Sequence, residues 1–273
     1  MTEIEQTDQI PLDIVKEAGE IKTMYEEDPA QDSFSCLLLG EAGSGKTYFL
    51  RTCRKPVHID SFDPGGTKGI KKHIKSGEII AATNYEKEDP MKPWAFNQWK
   101  KDMDRRIKMG YFNHVGTYVL DSASTWSDAI MNQILKNAGI PGQAPRFTKD
   151  YVPQKMQIRN WIAVMMALPC DFIMTGHLEA FKDEVSGTVT YRFLTTGKGV
   201  VTIPGLFDEL WVCDPKESSK GVNYRILTKS TGRHIARSRL AENGKLAQYE
   251  EPDMKKILAK VGHDNADKPL LTE

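Results

Sequence analysis

An apolar run, Phe34-Ser35-Cys36-Leu37-Leu38-Leu39, leads directly into Gly40-Glu41-Ala42-Gly43-Ser44-Gly45-Lys46-Thr47, which satisfies the pattern GxxxxGK(S/T). Between a strand and a helix this pattern leaves few folds open. Its glycines let backbone amides curl around a phosphate with no Cβ in the way, and the helix N-terminus adds a partial positive charge. Lys46 then supplies a cation for the β- and γ-phosphates, and Thr47 a hydroxyl for Mg2+. Residues 40–47 therefore mark a nucleotide site rather than a plain glycine turn.

The chain has 273 residues, 40% of them hydrophobic, which suits one large α/β domain better than two small ones. Lysine plus arginine and aspartate plus glutamate balance at 37 each, so no overall basic charge advertises nucleic acid. The balance hides an asymmetry. Carboxylates crowd the residues before Ser35 (Glu3, Glu5, Asp8, Asp13, Glu17 and Glu20 among them), which leaves the remainder basic and a polyanion partner open. Cys36, Cys53, Cys170 and Cys213 have neither CxxC spacing nor a histidine partner pattern, and read as core thiols in a reducing cytoplasm. With no run of about 18 apolar residues and no signal-peptide pattern, the expectation is a cytoplasmic protein that neither spans a membrane nor is secreted.

Three segments are expected: an acidic N-terminal segment (1–33) with a weak helical pattern over 11–25, a core (34–247), and a C-terminal helix with a flexible tail (248–273). The core opens with strand 34–39, helix 46–54 and strand 56–60, a βαβ unit that predicts a parallel sheet. A short strand follows at 78–82. The helix 94–108 puts Phe96, Trp99, Met103 and Ile107 on one face and Lys100, Lys101, Arg105 and Arg106 on the rest, either a solvated surface or a nucleic-acid patch. Strand 115–120 delivers Asp121 at its end, where a carboxylate beside a phosphate loop holds the Mg2+ water shell; the alternative is a helix cap. After helix 155–168, strand 171–175 ends at Gly176 and His177. A hairpin arm at 188–193 and short strands at 209–213 and 223–227 predict an antiparallel ending.

Residues 40–47, His58-Ile59-Asp60-Ser61-Phe62-Asp63-Pro64-Gly65-Gly66, Val119-Leu120-Asp121-Ser122 and Ile173-Met174-Thr175-Gly176-His177 together resemble the bacteriophage nucleotide-binding proteins of the RecA-like ATPase superfamily, some of which are single-strand annealing recombinases. The resemblance covers roughly residues 34–240. It implies an α/β P-loop NTPase fold with a mostly parallel sheet, ATP and Mg2+ as ligands, and a homo-oligomer acting on single-stranded DNA in phage recombination or replication. The alternative is a replication accessory ATPase, such as a helicase loader, whose acidic N-terminal segment meets a protein partner. A small-molecule kinase shares the loop, but the antiparallel ending and the absence of an arginine-rich lid count against it.

The resemblance also implies roles. An acidic residue just after the second strand orients the attacking water; Phe62 stands where the family usually has glutamate, so Asp60 and Asp63 are the candidates, the latter also readable as part of an Asp-Pro-Gly-Gly turn. His177 matches the polar γ-phosphate sensor, or is simply a strand-terminal histidine. The loop after it matches a DNA-binding loop, with Lys182, Arg192 and Lys198 as cations and Phe181, Tyr191 and Phe193 as stacking rings, unless these only pack on the sheet. Arg237 and Arg239 resemble the basic pair inserted into a neighbouring subunit's site, the plain reading being a charged edge strand.

Overall fold

The computed structural model describes residues 10–28, 33–185, 187–195, 199–219, 221–241 and 244–271. In chain order its elements are α1 (Leu12–Glu26), β1 (Ser35–Leu39), α2 (Lys46–Phe49), β2 (Val57–Ser61), α3 (Lys71–Lys75), β3 (Ile79–Ala82), α4 (Ala95–Lys108), β4 (Thr117–Asp121), α5 (Ala123–Asn137), α6 (Tyr151–Met166) and β5 (Asp171–Gly176). There follow β6 (Leu178–Lys182), β7 (Val189–Phe193), α7 (Gly199–Thr202), β8 (Glu209–Cys213), β9 (Lys216–Ser218), β10 (Gly221–Asn223), β11 (Ile226–Leu227), β12 (Tyr249–Glu250) and α8 (Met254–Val261).

The main sheet runs β12-β11-β8-β1-β5-β4-β2-β3. From β8 to β3 neighbouring strands are parallel, and β11 and β12 close the edge antiparallel. Strands buried on both faces need apolar residues at every position, and the period-two alternation shares them between two cores. Leu37, Tyr118, Leu120 and Phe172 face Trp99, Trp126 and Ile162 of α4, α5 and α6. Leu38, Val119, Ile173 and Trp211 face Phe49 of α2 and Ile257 and Leu258 of α8. This is an α/β P-loop NTPase fold: a mostly parallel central sheet with helices on both faces and antiparallel strands at its C-terminal end.

The register aligns the carboxyl ends of the parallel strands. Leu39 pairs with Gly176 and Val212, and Ser61 with Asp121, so the loops after β1, β2, β4, β5 and β8 open onto one edge. Ligands of open α/β sheets bind at such an edge.

Several expectations need correction. The segment 223–227 is not one strand: β10 pairs with β9 in a separate exposed hairpin while β11 joins the main sheet, and Tyr224 and Arg225 between them turn toward the loop after β1. The tail after His263 has no regular structure but is anchored. Asp264 pairs with Arg54 at 2.8 Å, Asp267 accepts from the Lys55 amide at 2.7 Å, and Lys268 Nζ donates to the Val115 carbonyl at 2.8 Å. Arg106 is buried rather than on the solvated face of α4. Helix α1 forms where expected and buries no residue. All four cysteines are free and buried, and among the described residues no helix is long and apolar enough to cross a membrane.

Candidate functional site

The loop after β1 folds as the glycine pattern requires. Gly43 and Gly45 have φ of +77° and +93°, conformations costly for any residue with a Cβ, and a Cβ on Gly40 would lie 2.3 Å from Ser44 Oγ. The loop is thus a cradle that side chains would fill. Lys46 Nζ donates to the carbonyls of Gly40 and Glu41 at 2.8 and 2.9 Å, holding the ammonium across the loop. Burial pulls its pKa down, against the nearby Asp121 and Asp63 carboxylates.

Asp121 ends β4 with its side chain on the α2 side of the sheet. One oxygen accepts from Thr47 Oγ1 at 3.1 Å and the other from Thr175 Oγ1 at 2.5 Å. The carboxyl is almost wholly buried, and burial raises its pKa; the Thr175 and Thr47 hydroxyls work in the opposite direction. Asp121 is not the helix cap: Ser122 holds the N-cap position of α5, and the Asp121 oxygens accept from Thr47 and Thr175 instead. Thr47 and Asp121 form the donor pair that suits Mg2+, a hard cation that binds few protein oxygens and keeps several waters.

Beyond β2 the two candidate carboxylates part company. Asp63 Oδ1 accepts from Ser122 Oγ at 2.8 Å and Thr125 Oγ1 at 2.6 Å, and Oδ2 lies 3.5 Å from His177 Nε2. Burial pushes its pKa up, but the hydrogen bonds from His177, Thr125 and Ser122 more than offset this and hold it below the ordinary value. Asp60 projects to the opposite face. It is fully buried, with Arg106 at 2.9 Å, Trp99 Nε1 and the Tyr118 hydroxyl each at 2.9 Å, and His58 at 3.1 Å. That saturated position removes Asp60 from the site.

A cavity of about 840 Å³ joins these parts. Residues 42–47 line one wall, and Asp63, Asp121 and His177 line another. Sequence reasoning missed the rest of the lining. Tyr48 with Arg51 stacked on its ring at 4.1 Å, Tyr224, Arg225 and Pro252 also face the space. The Tyr224 ring lies against Gly45, where a Cβ would meet it at 3.1 Å. No linear motif joins Tyr48 to Tyr224, although the position of Tyr48 directly after Thr47 was a usable signal.

The hairpin β6–β7 forms where a DNA loop was expected, but its side chains are largely engaged. Phe193 is buried and sits over Gly176, so it is not available for base stacking. Tyr191 stacks on His234 with centroids 5.0 Å apart. The Arg192 guanidinium lies 3.7 Å over Phe181 and 3.5 Å from Glu179; Lys182 is exposed, and Lys198 lies outside the described residues. Neither Arg237 nor Arg239 lines the cavity. Arg237 donates to the carbonyls of Pro204 and Phe207 at 2.9 and 2.7 Å, whereas Arg239 makes a half-exposed pair with Asp208 at 3.4 Å.

Residues 33–240 match the model of the AAA domain family. The chain belongs to the AAA domain family. As an AAA domain protein with this loop and sheet, it is a P-loop NTPase with an ATP-binding fold. No curated protein matches it. Among solved structures it is similar to a KaiC-like protein from Pyrococcus horikoshii OT3, at 14% identity over 73% of this chain and 80% of that one, with a TM-score of 0.39. It is also similar to the flagellar accessory protein FlaH from Methanocaldococcus jannaschii, at 16% identity over 71% of this chain and 76% of that one, with a TM-score of 0.34.

Proposed function

We propose that this AAA domain protein is a Mg2+-dependent ATPase stimulated by single-stranded DNA, acting as a homo-oligomer in phage recombination or replication in the host cytoplasm. The observation that carries the hydrolytic part is the convergence of Lys46, Thr47, Asp121, Asp63 and His177 on one cavity. The loop amides and Lys46 hold the β- and γ-phosphates. Thr47 and Asp121 would hold Mg2+, which when bound neutralises charge on the phosphoryl oxygens. Asp63 orients the attacking water and accepts its proton; its Oδ1 is fixed by Ser122 and Thr125, and its Oδ2 faces the cavity and His177. His177 senses the γ-phosphate through that carboxylate. Of the two arginines, Arg239 is the candidate to act on a neighbouring subunit, because Arg237 caps two carbonyls of its own chain.

The DNA part rests on the sequence resemblance and on the exposed Lys182. A second reading has its own support: α1 leaves Ile14, Ile21 and Tyr25 exposed, which suits a protein partner such as a replicative helicase. Steady-state ATP hydrolysis with and without single-stranded DNA, duplex DNA and RNA, with Lys46→Ala as the blank, tests both. Stimulation by single strands alone supports the first. Turnover indifferent to nucleic acid, with capture of helicase by residues 1–33, supports the second.

A further inference from the structure

Between Asp63 and Glu78 the chain carries Lys68, Lys71, Lys72 and Lys75 and no acidic residue. In the fold this stretch is a 3-10 turn, Gly66–Ile70, running into α3. Within α3, Lys71 and Lys75 are i, i+4 neighbours with Lys72 beside them, and Lys68 precedes them on the 3-10 turn. The opposite face is apolar and used: Ile70 is fully buried, and Ile74 packs on the same core. All four lysines are exposed, and among the described residues none enters an ion pair. The nearest acid in sequence, Glu78, is already occupied by Lys55 at 2.9 Å and His73 at 2.6 Å.

Four exposed ammonium groups within eight residues and without an acidic partner repel one another, and a surface that tolerates this is suited to an anionic partner. An amphipathic membrane anchor needs an exposed apolar face beside its cations, and here that face is spent on the core. A phosphate backbone needs only a row of cations. The β6–β7 hairpin is a poorer match, since Glu179, Asp183 and Glu184 outnumber Lys182 and Arg192.

We infer that the lysine face of residues 68–75 is a docking surface for the phosphate backbone of nucleic acid. The inference rests on the nucleic-acid reading above and moves its main electrostatic contact from the hairpin to this face. The surface also adjoins the nucleotide cavity: Gly65 and Gly66 line the cavity, Gly66 donates to the Asp63 carbonyl at 2.9 Å, and the Lys68 stem lies over Gly65.

The test is fluorescence anisotropy of labelled oligo(dT) titrated with the full chain over a range of salt concentrations. The comparison is between wild type and the triple variant Lys71→Gln, Lys72→Gln, Lys75→Gln, with Lys68 retained because it touches the cavity wall. Losing three phosphate contacts should weaken binding by about tenfold or more at low salt and lower the slope of log K against log salt by about 2. Nucleotide affinity should not change. If the triple variant melts early, the single variants Lys71→Gln and Lys75→Gln should each lower the slope by about 0.7.

An unchanged slope in the variants, with weakened binding in Lys182→Ala/Tyr191→Ala, overturns this surface and leaves the nucleic-acid reading standing. Wild type that binds neither oligo(dT), duplex nor RNA overturns both. Capture by mixed phosphatidylserine vesicles but not by oligo(dT) assigns the face to a membrane and overturns the inference.

Discussion

Asp60 and Asp63 lie on either side of the end of β2, and their surroundings make opposite use of the same carboxylate. Around Asp60, Arg106, Trp99, Tyr118 and His58 supply a donor for every direction in which the oxygens accept, beneath α4 and away from solvent. Around Asp63, two hydroxyls fix one oxygen and the other is left facing His177 and the cavity. A saturated carboxylate can only hold its neighbours in place, whereas one with a free lone pair can also take a proton. The charge is equal; what differs is the number of donors already committed.

The largest expected effects break this comparison directly. Asp60→Ala strands the buried Arg106 guanidinium without its counter-ion and should cost about 3–5 kcal/mol of stability, with turnover per folded molecule unchanged. Asp63→Asn should melt close to wild type and lose about 10²- to 10⁴-fold in kcat. Thermal melts and steady-state rates on both variants check the pair. An Asp60→Asn variant that folds normally but does not turn over would invert the assignment.

Acid pH sharpens it. Asp60 is pushed up by burial but held below the ordinary carboxylate value by His58, Arg106 and Tyr118. Its stabilising contribution is therefore present above the unfolded pKa of about 3.9 and is lost only as pH falls through the lower folded value. Asp121 is raised by burial, so in the metal-free protein the carboxylate proposed to hold the Mg2+ water shell is lost at a pH above about 3.9. On acidification, Mg2+-dependent turnover should therefore fail before the fold does. Thr175→Val removes a hydroxyl that holds the Asp121 pKa down and should move the acid limb of kcat/KM upward. A limb that stays in place in that variant would detach it from Asp121.

The legible parts of this chain were those in which chemistry is written locally. The loop glycines, Lys46, Thr47 and the strand-end Asp121 are local patterns, and the βαβ unit over 34–60 announced a parallel sheet. Asp60 against Asp63 was illegible, because the strand alternation that sends Asp60 to the α4 side matters only once α4 is placed and Arg106 is found there. Whether Phe193 stacks on bases or packs on the sheet stayed open in the sequence, because the space above Gly176 that receives it belongs to another element. The anchored tail escaped for a similar reason: Asp264 and Asp267 bind Arg54 and the Lys55 amide, partners far away in sequence, and no apolar period marks such contacts.

The smallest predicted effect lies on the cavity's missed wall. Trp99 and Tyr224 are aromatic neighbours of the two sites, but Trp99 is fully buried and bonded to Asp60, whereas Tyr224 is 46% exposed with its ring against Gly45. Removing the Tyr224 ring therefore takes little from the fold. What it removes is a flat apolar surface beside the phosphate loop, on the cavity lining. An aromatic contact of that kind contributes about 0.5–1.5 kcal/mol, so Tyr224→Ala should raise the nucleotide Kd several-fold, with Tyr224→Phe near wild type and both melting normally. Calorimetric titration of the nucleoside triphosphate and of inorganic triphosphate separates the causes. A loss confined to the nucleoside form places the ring against the base or sugar, an equal loss for both means that it only shapes the loop at Gly45, and no loss for either removes Tyr224 from the site.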